Sequence, residues 1–146
     1  VLVHPQSIVH SLVEFTDGAV LAQMAAPDMR LPIQYALAYP ERWASPLPAP
    51  DLAAIGRLTF EAPDREAFPL LDLGVRAGRE GGVAPCVFSV ANEEAVRLFL
   101  DGTLRFGDIA CRVAAALDGV TRPALPDLDG IRAAEASARA FVRAGR

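Results

Sequence analysis

From Ile8 to Phe15 the chain alternates, with Val9, Ser11, Val13 and Phe15 on one side and His10, Leu12 and Glu14 on the other. A period of two predicts a strand. Thr16-Asp17-Gly18-Ala19 follows, and Asp-Gly between alternating apolar runs predicts a two-residue hairpin loop of type I′. Ala19–Met24 is then the returning strand. Counting outward from that loop pairs Phe15 with Val20, Val13 with Ala22, and His10 with Ala25. The open end of the hairpin should therefore bring His10 beside Pro27-Asp28-Met29.

Pro32 opens a short helical pattern through Ile33, Ala36 and Leu37 that must end before Pro40. Four prolines lie between positions 40 and 50. Such a segment suits neither helix nor central strand, so it reads as an extended linker pinned by burial of its single Trp43.

After Phe60 the period becomes helical. Pro69 suits the first turn of a helix with Leu70, Leu73 and Ala77 on one face, and the glycines between 78 and 82 read as its stop. Val87, Ala91, Ala95, Leu98 and Phe99 form a second stripe, closed by Asp101-Gly102. Ile109, Val113, Ala116 and Leu117 form a third, starting near Gly107-Asp108. A fourth runs from about Leu128, with Ile131, Ala134, Ala138 and Phe141 inward. Its Asp127 and Asp129 lie at the positive end of the helix dipole, and Arg143 and Arg146 lie near the negative end. Four stripes with short connections predict a small bundle.

Candidate chemistry centres on His10, which can exchange a proton near neutral pH or serve as hydrogen-bonded scaffold. Asp28 and Met29 should converge on it. A metal shared by His4 and His10 is disfavoured if the segment is extended, since six extended residues span roughly 20 Å. In Asn92-Glu93-Glu94 the two carboxylates point about 100° apart on a helix, so shared ligation is disfavoured. Asn92 or Glu93 is expected to hydrogen-bond within the bundle, with Glu94 solvated. Asp127-Leu128-Asp129-Gly130 lacks the later Glu of a calcium loop.

The ordered set of motifs resembles one family. His4-Pro5-Gln6-Ser7-Ile8-Val9-His10 is followed by Ala26-Pro27-Asp28-Met29-Arg30-Leu31-Pro32-Ile33, then by Leu58-Thr59-Phe60, Ala62-Pro63-Asp64 and Phe68-Pro69-Leu70-Leu71-Asp72-Leu73. Ser89–Val96, Phe99-Leu100, Gly102 and Phe106-Gly107-Asp108-Ile109 complete it. Together they look like the C-terminal part of the 1-deoxy-D-xylulose 5-phosphate reductoisomerase family, up to about Val120. The resemblance implies an α+β chain: residues 1–38 as the β-hairpin end of an α/β catalytic and dimerisation domain, 39–64 as a Pro-rich extended linker, and 65–146 as a C-terminal four-helix bundle. It implies that the full-length parent converts 1-deoxy-D-xylulose 5-phosphate to 2-C-methyl-D-erythritol 4-phosphate with NADPH and Mg²⁺ or Mn²⁺, in isoprenoid biosynthesis. His10 is carried over as the catalytic candidate, with Ser7, Pro27 and Met29 as the wall for substrate and nicotinamide. No position here matches the family's nucleotide loop, metal carboxylates or phosphate grip. The chain alone is thus expected to bind no cofactor or metal, to be inactive, and to need the missing N-terminal part of the same enzyme.

Composition agrees with those absences. All 14 basic residues are Arg and none is Lys, and neither a dinucleotide nor a P-loop glycine motif occurs. The net charge of −4 and the scattered Arg residues argue against a nucleic-acid footprint. No apolar run approaches the ~20 residues of a membrane span, and no signal-peptide pattern is visible. The starting Val fits a trimmed or proteolysed chain. The resemblance implies a cytoplasmic homodimer, and Cys86 and Cys111 are expected as buried thiols in a reducing compartment. Two other classes stay open: a stand-alone helical protein-interaction module, and a small independent enzyme built on His10 and Asp28.

Overall fold

The computed structural model describes residues 1–120 and 127–145. They form two compact units, Val1–Pro63 and Asp64–Arg146. The fold class is α+β: one antiparallel hairpin followed by helices.

In the first unit, β1 (Val9–Glu14) pairs with β2 (Val20–Met24). The strands stand where the alternation puts them, but the register differs by one. Val13 faces Leu21 and Leu12 faces Ala22, because three residues close the loop. Gly18 N–H donates to the Phe15 carbonyl at 3.0 Å, and Phe15 N–H to the Ala19 carbonyl at 2.9 Å. Only Gly18, at φ 87°, is left-handed in the loop, so Thr16-Asp17 turn in right-handed fashion and Gly18 completes a bulge. A second irregularity lies between Val9 and Ser11, where His10 is the extra residue opposite an unbroken Gln23-Met24. Leu12, Val13, Phe15, Val20 and Leu21 remain exposed, so apolar side chains stand bare on both faces of the ribbon.

Helix α1 (Arg30–Ala38) ends ahead of Pro40, as the proline requires. The segment expected to be wholly extended contains a one-turn helix α2 (Leu52–Ile55), whose Asp51 carboxylate accepts from the Ala53 and Ala54 N–H groups. Its end returns to the start of the chain, where Val3 and Glu61 exchange two backbone hydrogen bonds of 2.9 Å. Trp43 does not pin this segment by burial: it is 59% exposed, and its indole donates to Glu41. The Gln34 side-chain amide does the pinning from α1, donating to the Trp43 and Ala44 carbonyls at 3.0 and 3.2 Å.

The second unit holds α3 (Leu70–Glu80), α4 (Ala84–Leu100), α5 (Asp108–Gly119) and α6 (Leu128–Arg143). Helix α4 packs against the other three. Its Ala84, Val87, Ala91 and Ala95 are fully buried, with Val113, Ala116 and Leu117 of α5 and Ala138 of α6. Small residues along α4 let its neighbours approach closely, and Leu117 fills the space between them. On α6 the inner stripe is Ala134, Ala138 and Val142, whereas Ile131 is half exposed and Phe141 packs at the margin. Phe99 also turns partly outward and meets Phe106 edge to face at 5.7 Å. Asp127 caps α6 by accepting from Gly130 N–H at 2.7 Å, and Arg143 lies in its last turn. Arg146 lies outside the described residues.

Two further side-chain expectations fail in this unit. Glu94 is 1% exposed rather than solvated, and Glu93 is the outward one, paired with Arg139 at 2.9 Å. The Glu94 carboxylate is buried because three arginines reach it: Arg97 at 2.6 Å, Arg143 at 2.8 Å and Arg139 at 3.6 Å. Nor are both thiols buried: Cys111 is exposed and Cys86 partly covered. Cys111 lies two residues from both Ile109 and Val113, which puts it on the opposite side of α5 from the core. Partial burial pushes the Cys86 thiol pKa up.

Candidate functional site

The open end of the hairpin, the Ala25–Met29 segment and α1 enclose a pocket of about 600 Å³. Ser7, His10, Pro27, Asp28 and Met29 all line it. The convergence expected from the hairpin is therefore present, although the register that produces it is different. The bulge places His10 out of the strand alternation, a device that re-aims a side chain at a sheet margin. His10 Nε2 lies 3.1 Å from the Ala25 carbonyl. A carbonyl only accepts, so Nε2 carries the proton there and Nδ1 is the ring's acceptor when the imidazole is neutral.

Ser7 is left-handed, at φ 52°. It is the sole non-glycine residue with positive φ among the described residues, and such strain gathers at ligand-holding walls. Met29 is 70% exposed on the rim, just ahead of α1. Its sulfur-bearing chain can adapt to an apolar surface laid against it.

Asp28 is already committed. Arg30 forks onto it with Nη2 at 2.7 Å and Nε at 3.0 Å, and the Arg30 backbone N–H adds a bond of 2.9 Å. The guanidinium first, then the backbone N–H, hold the Asp28 carboxyl down at about 2. It stays a carboxylate at neutral pH and cannot act as a general acid. An enzyme built on His10 and Asp28 would have to use a carboxylate whose oxygens Arg30 already occupies.

Tyr35 and Arg42 are among the lining residues that were not singled out in the sequence. The Arg42 guanidinium lies over the Tyr35 ring, 4.0 Å from its centre. The pair is a cation–π contact and leaves a positive group at the pocket. Tyr35 on a short helix and Arg42 beyond Pro40 carry no spacing that would have joined them in advance.

Among the described residues no group of three or more His, Cys, Asp or Glu side chains could hold a metal ion. The glycines at 81 and 82 join α3 to α4, not a strand to a helix. The pocket joins a mainly apolar wall to the His10 imidazole, the Asp28 carboxylate and the Arg42 guanidinium. No helix among the described residues is long and apolar enough to cross a membrane.

The family model of the DXP reductoisomerase C-terminal domain matches residues 24–141. The 1-deoxy-D-xylulose 5-phosphate reductoisomerase of Heliobacterium modesticaldum is 54% identical over 142 residues, which are 97% of this chain and 36% of that protein. That of Moorella thermoacetica is 52% identical over 95% of this chain and 36% of its own length. The solved reductoisomerase from Zymomonas mobilis in complex with NADPH superposes with a TM-score of 0.91 at 45% identity, over 98% of this chain and 38% of that one. A DOX-P reductoisomerase in complex with NADPH, fosmidomycin and magnesium does so with a TM-score of 0.90 at 41% identity, over 98% of this chain and 37% of that one. The chain thus spans little more than a third of the length of the relatives it matches. It belongs to the 1-deoxy-D-xylulose 5-phosphate reductoisomerase family and corresponds to the C-terminal part of its members.

Proposed function

We propose that the chain is the supporting part of an NADPH-dependent reductoisomerase that converts 1-deoxy-D-xylulose 5-phosphate to 2-C-methyl-D-erythritol 4-phosphate in isoprenoid biosynthesis. The observation that carries this is the pocket at which Ser7, His10, Pro27 and Met29 meet, within a chain 54% identical to a reductoisomerase. Met29 and Pro27 form the apolar rim against which substrate and nicotinamide pack. His10 orients or protonates the substrate, its ring held by the Ala25 carbonyl. The remainder of the enzyme brings the nucleotide fold and the Mg²⁺ or Mn²⁺ ligands, and this chain alone is catalytically silent. The setting is a cytoplasmic homodimer.

The apolar side chains bare on both faces of the β1–β2 ribbon support the partner assignment. A two-stranded ribbon apolar on both sides suits the interior of a larger, covered sheet and is marginal by itself. The rival reading, a stand-alone helical interaction module, needs an apolar groove on the helical unit and leaves the pocket of the first unit without a role. The test is NADPH oxidation in the presence of 1-deoxy-D-xylulose 5-phosphate and a divalent metal, by this chain and by the longest chain its gene encodes. Replacing His10 in the longer chain adds the residue-level test.

A further inference from the structure

Thr59 lies far from Ser7 in sequence, yet every polar group it has is held by the two residues that lead into Ser7's turn. Its carbonyl accepts from His4 Nδ1 at 2.8 Å. Its hydroxyl oxygen accepts from Gln6 Nε2 at 2.7 Å, and its N–H donates to Gln6 Oε1 at 3.2 Å. The Gln6 amide is thereby fixed in one orientation, oxygen to the N–H and nitrogen to the hydroxyl. The His4 ring also stacks on Phe60 at 4.7 Å, nearly parallel at 18°. Beside them Val3 and Glu61 pair through both backbone groups. The chain then reverses over Pro5 and Gln6, with Ser7 N–H donating to the His4 carbonyl at 3.1 Å.

Ser7 emerges from this turn left-handed, a conformation that crowds any Cβ-bearing residue and persists only where its surroundings impose it. It is tied to the grip on Thr59 through its own N–H bond to the His4 carbonyl, while Thr59 is not among the residues lining the pocket. We propose that His4 and Gln6, by gripping Thr59, are positioning residues that hold Ser7 in its left-handed conformation on the pocket wall. The proposal rests on the reading of that pocket as the substrate wall. It gives the segment after α2 a function: a clamp that closes the first unit and sets the wall's shape.

The experiment compares Gln6→Ala, Thr59→Val and Thr59→Ser in the longest chain the gene encodes. Gln6→Ala should raise the KM for 1-deoxy-D-xylulose 5-phosphate about fivefold, the loss of roughly one net hydrogen bond's worth of binding, with kcat and the thermal midpoint little changed. Thr59→Val should follow it in part, and Thr59→Ser, which keeps the hydroxyl, should restore the parent KM. Unchanged KM in Gln6→Ala, or a loss of activity that only tracks a lower thermal midpoint, would overturn the clamp. Amide exchange at Ser7 gives a readout independent of activity. It should quicken in Gln6→Ala and stay slow in Thr59→Ser, and equal protection in both overturns the proposal. An inactive parent chain with this exchange pattern intact would instead overturn the substrate reading and leave the clamp standing.

Discussion

Arg143 Nε donates to Glu94 Oε1 at 2.8 Å across 49 positions of sequence, tying the last turn of α6 to the middle of α4. Arg97 shares the same oxygen from within α4. The carboxylate is out of water while Arg97 and Arg143 remain about half exposed, so the anion is compensated and the cations keep most of their hydration. Glu94→Gln removes the charge but not the volume, and should destabilise the helical unit by about 1.5–3 kcal/mol, the range for hydrogen bonds to charged groups. Chemical denaturation followed by helical circular dichroism measures it.

The same carboxylate predicts a pH dependence. Bonds from Arg143 and then Arg97 hold the Glu94 pKa at about 2, below its ordinary 4.5. Its folded value is depressed, so the unfolded chain takes up the proton first. The stabilisation is fully present above pH 4.5 and is lost as pH falls toward 2. Asp101 and Asp108 are lowered as well and contribute in the same direction. Glu94→Gln should therefore show a shallower loss of stability through this window than the parent chain, measured by denaturation at a series of pH values. An equal slope would contradict it.

At the hairpin, Gly18 alone takes a left-handed conformation and its added Cβ would meet no neighbour. The cost of Gly18→Ala is thus backbone strain without a clash, about 1 kcal/mol, and Gly18→Asn should cost less. Faster amide exchange at Phe15, which binds the Ala19 carbonyl, is the local readout.

Asp28→Asn separates the candidate roles in the pocket. The salt link to Arg30 lies at the surface, so stability should change little. In the longest chain the gene encodes, activity should fall far less than in His10→Ala. A general acid or base is worth about 10²–10⁴ in rate, and a loss toward that range is the expectation for His10 if it protonates substrate. Steady-state kinetics of the two variants decide between them. A larger loss for Asp28→Asn would restore the carboxylate to a chemical role.

What the sequence made legible follows from how local each determinant is. Leu70, Leu73 and Ala77, or Ile109, Val113 and Leu117, state a helical period within a dozen residues, and those helices stand where the stripes place them. The hairpin's strands were equally plain. Their register was not, because Asp17-Gly18 serves two loop lengths, and the three-residue form puts only Gly18 left-handed. His10 still reached Pro27 and Met29, since a bulge shifts pairing by one residue without moving the ribbon's end. Glu94 was misplaced because burial of a carboxylate depends on Arg143, 49 residues away. Trp43 was misplaced because its proline-flanked segment is secured by Gln34 instead. Tyr35 and Arg42 meet only through the fold.

The most direct test is NADPH oxidation with 1-deoxy-D-xylulose 5-phosphate and Mn²⁺, by this chain alone and by the longest chain its gene encodes. The account predicts activity in the longer chain and none in this one. Turnover by this chain alone, or none by either, would contradict it.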